Sequence, residues 1–456
     1  MRKPLSARLI TPIAILLFSQ TPSPGSPESQ AVLNQLGPLE WIGGTNLQED
    51  SNGNGWNASF EGSPATSVNL SEPHSAMGDL SGRVFVADKN AHAIRVIEPD
   101  GTIRTVAGNN TPGFDGDGPA TYRQLNGPQN AYVLPDGTFY ILDTNNRRIR
   151  KVDAQGIMTS IVIESATLSR GLWVRRDGGQ IYYCTQTALK RWTPAMGTNP
   201  GTVMANGFSE LGNIDVAANG DIYLTDRGAN SSDPTFSQVF RIAADATPQT
   251  FIPVAVAGTG GTANSGPEAG GSPAILTGLS GVRAIAFHPA GGYFLATHRG
   301  GDVWYVDSNG TIAMVVQGND GNAAAPDLLP RTLPATGNNV ISEVRSVSVS
   351  LTGDLLIATN DAGFILRAKY QGPSPAPAVA GILPPAVPGG PVGLQWIQEN
   401  GSWFRIESTE NPATSPWSVR LTGTATGQLQ SWLDPETTTI QPRQFYRLRR
   451  FRSWPN

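Results

Sequence analysis

Gly82-Arg-Val-Phe-Val-Ala-Asp88 and Gly137-Thr-Phe-Tyr-Ile-Leu-Asp143 are one pattern written twice in this chain. The first copy continues through a polar loop to Ile94-Arg-Val and Asp100-Gly-Thr-Ile-Arg-Thr-Val106. The second continues to Ile149-Arg-Lys-Val152 and Gln155-Gly-Ile-Met-Thr-Ser-Ile161. Each apolar run is strand-length, rich in β-branched and aromatic residues, and closed by Gly, Asp or Asn. Units recurring in this way point to a stacked β-architecture.

Four more units follow, built on Gly179 to Thr185, Gly220 to Asp226, Gly292 to Thr297 and Gly353 to Thr359. Each has an apolar run before it, such as Gly171-Leu-Trp-Val or Val347-Ser-Val, and another after it. That gives four short antiparallel strands per unit, a to d. Six such units arranged radially predict an all-β, six-bladed β-propeller, which leaves only short, protected edges. Strand b ends in Asp88, Asp143, Thr185, Asp226, Thr297 and Thr359. These short oxygen-bearing side chains suit bonds to the backbone of the following turn and read as structural.

The way the ring closes is also written in the sequence. Leu39-Glu-Trp-Ile-Gly-Gly-Thr45 resembles the strand d exit Thr105-Val-Ala-Gly-Asn109, and both lead through a Gly/Asn-rich loop to Pro-Ala-Thr. The sixth unit meets Pro373-Ser-Pro-Ala-Pro before any fourth strand. The N-terminal strand is therefore predicted to complete the last blade, with Trp41 on its outermost strand.

Val106-Ala-Gly-Asn-Asn-Thr-Pro-Gly-Phe-Asp-Gly-Asp-Gly-Pro-Ala-Thr121, followed by Leu125-Asn-Gly-Pro and Ile141-Leu-Asp-Thr-Asn-Asn-Arg-Arg-Ile-Arg-Lys-Val152, resembles the NHL-repeat family. As an architecture the resemblance covers residues 39–370. It implies a propeller that serves as a binding platform. Some relatives bind RNA or protein, and a few are lyases or hydrolases. His92 falls at the family's signature histidine, where the second unit has Arg147.

The chain ends carry different signals. Arg2, Lys3 and Arg8 precede an apolar core from Leu9 to Phe18, which reads as an export signal too short to span a bilayer. Residues 1–31 are thus expected to be signal peptide and disordered segment, and the protein secreted or periplasmic. The propeller is expected over 32–370 and a stiff Pro/Ala/Gly linker over 371–391. A small β-sandwich-like domain is expected over 392–456, where half of the ten Trp lie. Its ending Arg443-Gln-Phe-Tyr-Arg-Leu448 resembles a terminal module of exported bacterial multidomain proteins. Cys184 is the only cysteine, so no intramolecular disulfide forms, and the thiol reads as buried and inert.

The chemistry is sparse. A net charge of −4 offers no overall field for nucleic acid. His92 and His298 sit in separate units and His288 falls at the opposite face, so at most two of the four histidines could meet; no G-x-S-x-G elbow is present, and Phe114-Asp-Gly-Asp-Gly118 lacks the ligands of a calcium loop. No motif points to a metal or cofactor. The b–c and d–a connections read as long and share one face, where binding is expected. Aligning the units on their a–b turns brings His74, Gln129, Arg170, Gly212, Arg283 and Arg345 to the start of strand a, beside the channel. Ligand contacts are expected from Arg170, Arg283 and Arg345, aided by His74, Gln129 and His298. Guanidinium suits carboxylate, phosphate or sulfate. The competing reading pairs each Arg with a carboxylate such as Glu210 or Glu343. The function expected is a binding or scaffold module for a protein, a glycan or a small anion. The alternative is a lyase or hydrolase acting on a small or polysaccharide substrate.

Overall fold

The computed structural model describes residues 26–45, 56–228, 237–244, 253–260, 271–298, 301–316, 318, 331–332, 341, 343–359 and 363–372, with six further strands in the tail. The first units fold as read. Blade one is Pro73–Gly78, Val84–Asp88, Ala93–Ile97 and Ile103–Ala107, in spatial order a to d. Blade two is Pro128–Val133, Phe139–Asp143, Arg148–Val152 and Ile157–Ile163. Strand a of the next four blades is Leu168–Val174, Leu211–Val216, Val282–Phe287 and Val344–Val349. The strands a lie side by side in a closed circle, with blade six against blade one, so the protein is a six-bladed propeller. In the sixth sheet Ile365–Tyr370 pairs antiparallel with Leu36–Gly43.

Channel-side bonds stitch the blades together. Ser75 Oγ accepts from Ala131 N–H at 3.2 Å, and Asn130 Nδ2 donates to the Arg170 carbonyl at 2.9 Å. Ser169 Oγ donates to the Leu211 carbonyl, and Asp215 accepts from Phe287 N–H at 2.8 Å. His288 Nε2 lies 3.1 Å from the Gly353 carbonyl, and Ser346 Oγ accepts from Ala76 N–H at 3.3 Å. Each interface thus carries a polar tie besides its apolar packing, which fixes the channel wall.

Three expectations are corrected. Residues 26–31 belong to the folded body: Ser26 caps a helix, Pro27–Leu33, with Pro at its first position and Glu28 in its first turn. The helix buries Val32 and Leu33 among blade five and six residues, and Ser26 bonds Asp307. The b–c connections are short in the early blades, 89–92, 144–147 and 186–187. Left-handed residues at His92 and Arg147, with φ of 52° and 53°, close the first two in few residues. Loop length is carried by the d–a connections 44–72, 108–127 and 258–281. Blade three also has a long c–d connection, 193–201, holding the short helix Pro194–Met196. In the tail, Ala378–Leu383 lies inside the expected linker yet forms a strand paired with Gly393–Ile397, since Ala-Val-Ala-Gly-Ile-Leu is a strand-competent run between prolines.

The strand b termini divide by residue type. Thr185, Thr297 and Thr359 donate to carbonyls within the following turn. Asp88 and Asp143 reach the other way and accept from Ser71 and Asn126 N–H, at 2.6 and 2.8 Å, pinning the chain before strand a. Asp226 does both, accepting from Ser209, Glu210 and Gly228.

Candidate functional site

The aligned positions of strand a sit in β-bulges. The register of strand a against strand b slips between Pro73 and Ser75, Pro128 and Asn130, Leu168 and Leu172, Leu211 and Ile214, Val282 and Ala284, and Val344 and Ser346. His74, Gln129, Arg170, Gly212, Arg283 and Arg345 all fall within those slips. A bulge frees a residue from the pleat and re-aims its side chain. Repeated in every blade, it builds one layer of side chains at the channel mouth where the d–a loops emerge.

Two further layers meet this one. Glu72, Glu210 and Glu343 each end a d–a connection, and Lys89, Arg227 and His298 each follow strand b. Glu72 and Glu343 hold φ of 63° and 45°, at positions where Gly127 and Gly281 serve in other blades. A non-glycine residue costs free energy there, and such outliers gather at functional sites. Arg345 Nη2 lies 2.5 Å from Glu343 and 3.7 Å from Glu72, Lys89 Nζ 2.7 Å from Glu72, and His298 Nε2 3.2 Å from Glu343. Arg227 pairs with Glu210. Of the expected contacts, Arg345 and His298 are thus engaged by carboxylates, and Glu210 holds Arg227 rather than a strand a arginine.

Arg170 and Arg283 stand apart from these pairs. Arg283 is 2% exposed, and its Nε and Nη1 meet no hydrogen-bond partner among the described residues. Arg170 Nε is likewise unpartnered, and the side chain feels Glu72 and Glu343 across the mouth without bonding them. Burial holds its pKa below the usual arginine range. His74 is fully buried; burial first, then Arg170, Arg345 and Lys89, push its pKa well below 6.5, so it is neutral at pH 7. Arg227 is lowered to about 10 by burial and by Arg170 and Arg345. Gln129 is half-buried at the same level. In this layer and the two that meet it, five described cations, Lys89, Arg170, Arg227, Arg283 and Arg345, face three glutamates. Lys89, Arg227 and Glu72 escaped the sequence reading because the alignment stopped at strand a. Extending it to the residues flanking strand a and following strand b would have found them.

The remaining candidates are structural. His92 Nδ1 accepts from Gly127 N–H at 3.1 Å. Asp115 accepts from Gln124 N–H at 2.8 Å, and Asp117 from Ser160 N–H at 3.0 Å and Arg150 at 3.2 Å, so both carboxylates hold the chain itself. Among the described residues no group of three His, Cys, Asp or Glu is placed to hold a metal ion. Cys184 is buried and its thiol is pushed up by burial.

The other mouth of the channel opens into a cavity of about 1200 Å³ between the a–b and c–d turns. Its wall is Tyr132, Trp173, Asp215, Tyr223 and Phe287, and its floor is the ring of Ser75, Asn130, Asn213 and Ser346.

No family model matches the chain. It is 34% identical over 83 residues to NHL repeat-containing protein 2 of Bos taurus, a stretch covering 18% of this chain and 11% of that protein. The chain therefore spans only a small part of the curated relative it matches. Among solved structures, an auxiliary nutrient binding protein from Bacteroides thetaiotaomicron aligns at a TM-score of 0.52 and 13% identity, covering 73% of this chain and 76% of that one. A second protein of that organism, of unknown function, aligns at 0.51 and 13%, covering 73% and 75%. No helix among the described residues is long and apolar enough to cross a membrane. The chain is a six-bladed β-propeller with a local NHL-repeat relative in sequence.

Proposed function

We propose that this protein is an exported binding propeller that takes an anionic ligand at the d–a loop mouth, held by Arg283 and Arg170. One observation carries the reading: the buried Arg283 guanidinium has Nε and Nη1 without a partner. A buried donor left unmade costs about 1–3 kcal/mol, more when charged, and an oxyanion offers it bidentate bonds. Arg170 supplies a second fork. Arg345, Glu343 and Glu72 form the frame, with Gln129 and neutral His74 as further polar groups. Export rests on the basic and apolar start of the chain, and a nutrient-binding neighbour in fold agrees with a binding role.

The test is titration calorimetry with inorganic phosphate, sulfate and succinate. Arg283→Ala and Arg170→Ala should each weaken the favoured anion by about tenfold or more, and together abolish binding. Arg345→Ala, which removes the guanidinium shared by Glu343 and Glu72, should lower the melting temperature more than it changes affinity. Equal affinity in wild type and the Arg170/Arg283 double variant would overturn the reading.

The N-terminal strand is proposed to close the ring in blade six. The Pro-Ala turns support this: Gly44 N–H donates to Ala65, Gly108 to Ala120 and Gly258 to Ala274, at 3.0, 3.0 and 2.9 Å. The same exit thus follows Leu36–Gly43 and the d strands Ile103–Ala107 and Val254–Ala257. The tail is proposed to be a separate sandwich-like unit built from its two three-stranded sheets. Limited proteolysis should then cut within 373–377 and leave two stable pieces, with Ala378–Leu383 retained in the tail fragment. Preferred cleavage between Ala378 and Ile397 would separate strands that pair and would contradict this division.

A further inference from the structure

We propose that the opposite mouth of the channel is a second binding site, specific for an organic primary ammonium carried on an apolar body, with Asp215 as its counter-ion. The next-to-last residue of strand a faces the cavity in successive blades as Met77, Tyr132, Trp173, Asp215, Ala286 and Ser348, so Asp215 is the one charge in this layer. It lies opposite Tyr223 in the blade four sheet. Its carboxylate accepts from Phe287 N–H and from Val216 N–H, both at 2.8 Å. Those bonds fix the group while each oxygen keeps a lone pair for a further donor.

No described cation neutralises this carboxylate: its surroundings contribute burial and the two backbone donors alone. Burial raises its pKa to about 6, so at neutral pH the ionised form is held at a cost that a cationic ligand would relieve. Arg176 lines the rim near Tyr132 and does not reach Asp215. His288 is also on the wall; burial lowers it to about 4, so it adds no positive charge at neutral pH. Asp307 is occupied by Ser26, Asn309 and Thr311.

The aromatic groups complete the chemistry. Tyr223 meets Phe287 edge-on, with ring centroids 4.8 Å apart, and Trp173 is backed by Tyr182 at 5.6 Å. Tyr132, Trp173, Tyr223 and Phe287 offer rings around a single carboxylate. Aromatic faces attract cations and accept apolar bodies, and the carboxylate fixes the charged end. The floor adds little competing recognition, because Ser75, Asn130 and Ser346 are engaged with neighbouring blades.

Calorimetry on the full chain with phenethylamine, and with phenethyl alcohol as its uncharged counterpart, tests this site. Wild type should bind the amine at millimolar concentration or below and the alcohol about tenfold to a hundredfold more weakly. In Asp215→Asn, whose amide oxygen can still accept from Phe287, the amine should fall to the level of the alcohol. Should that variant fail to fold, Trp173→Leu keeps the carboxylate and should weaken the amine by about threefold to thirtyfold. Arg283→Ala should leave amine binding unchanged, which separates this site from the arginine mouth. No amine binding by wild type, unaltered preference for the amine in a folded Asp215→Asn protein, or unaltered amine affinity in Trp173→Leu would overturn the proposal.

Discussion

A chain lacking residues 36–43 is expected to lose cooperative folding of the propeller. The strand lies on Ile365–Tyr370, with Leu39 opposite Ala368 and Trp41 opposite Leu366. Leu39 is fully buried, Leu36 nearly so, and Trp41 donates to Gly43 and Gly44 carbonyls at 3.0 and 2.9 Å. A Cβ at Gly43 would lie 2.7 Å from Ile97 Cδ1, which shows how tightly the strand fits against blade one. Deletion exposes an unpaired strand edge and empties a core shared by blades five and six. Burying a leucine is worth about 2–5 kcal/mol against alanine, and whole domains hold about 5–15 kcal/mol, so losing Leu36 and Leu39 together consumes much of the total. Leu39→Ala alone should lower unfolding free energy by about 2–5 kcal/mol in a denaturant titration. A deletion protein that melts at the wild-type temperature would show that the ring does not depend on this strand.

The repeated strands could be read because a propeller blade writes its period directly into the chain. Val84–Asp88 and Phe139–Asp143 have the same length, spacing and closing residue. The arginine layer was legible for the same reason, since an alignment of blades is also an alignment of positions around the channel. Its pairing was legible only in part. Glu343 stands two residues from Arg345, and Glu210 meets Arg227 within blade four, but Arg345 reaches Glu72 only because blade six lies against blade one. The helix Pro27–Leu33 was hidden by composition, because Ser, Pro and Glu serve equally in a linker and in a capped first turn. The Asp215 pocket gave no local signal at all. Trp173, Asp215 and Phe287 belong to three blades, and only the radial geometry makes them neighbours.

The ion pair Asp143–Arg150 is expected to cost more when halved than when replaced whole. Both side chains are fully buried, with Arg150 Nη1 3.6 Å from Asp143 Oδ2. Asp143 also accepts from Asn126 N–H and from Asn146 Nδ2, each at 2.8 Å, while Arg150 Nη2 donates to the Gly116 carbonyl at 2.8 Å. Phe114 lies over the same guanidinium at 5.1 Å. The pair therefore ties strands b and c to the long loop that enters blade two. Burial pushes Asp143 up to about 6 against the pull of its hydrogen bonds and of Arg150, so desolvation outweighs attraction. Arg150→Met should cost about 3–5 kcal/mol, because it leaves a buried carboxylate uncompensated. Asp143→Asn with Arg150→Met should recover much of that loss, giving a positive coupling energy in a double-mutant cycle. The pH dependence follows from the same shift. A folded pKa above the unfolded value means the native state holds its proton longer. The contribution of Asp143 to stability is then greatest below the unfolded carboxylate pKa and is lost as pH rises through about 6. Subtracting the Asp143→Asn profile from wild type, by urea titration between pH 4 and 7, isolates that slope. A flat difference, or a double variant as unstable as Arg150→Met alone, would contradict a burial burden on Asp143, and a slope of opposite sign would mean that attraction outweighs burial.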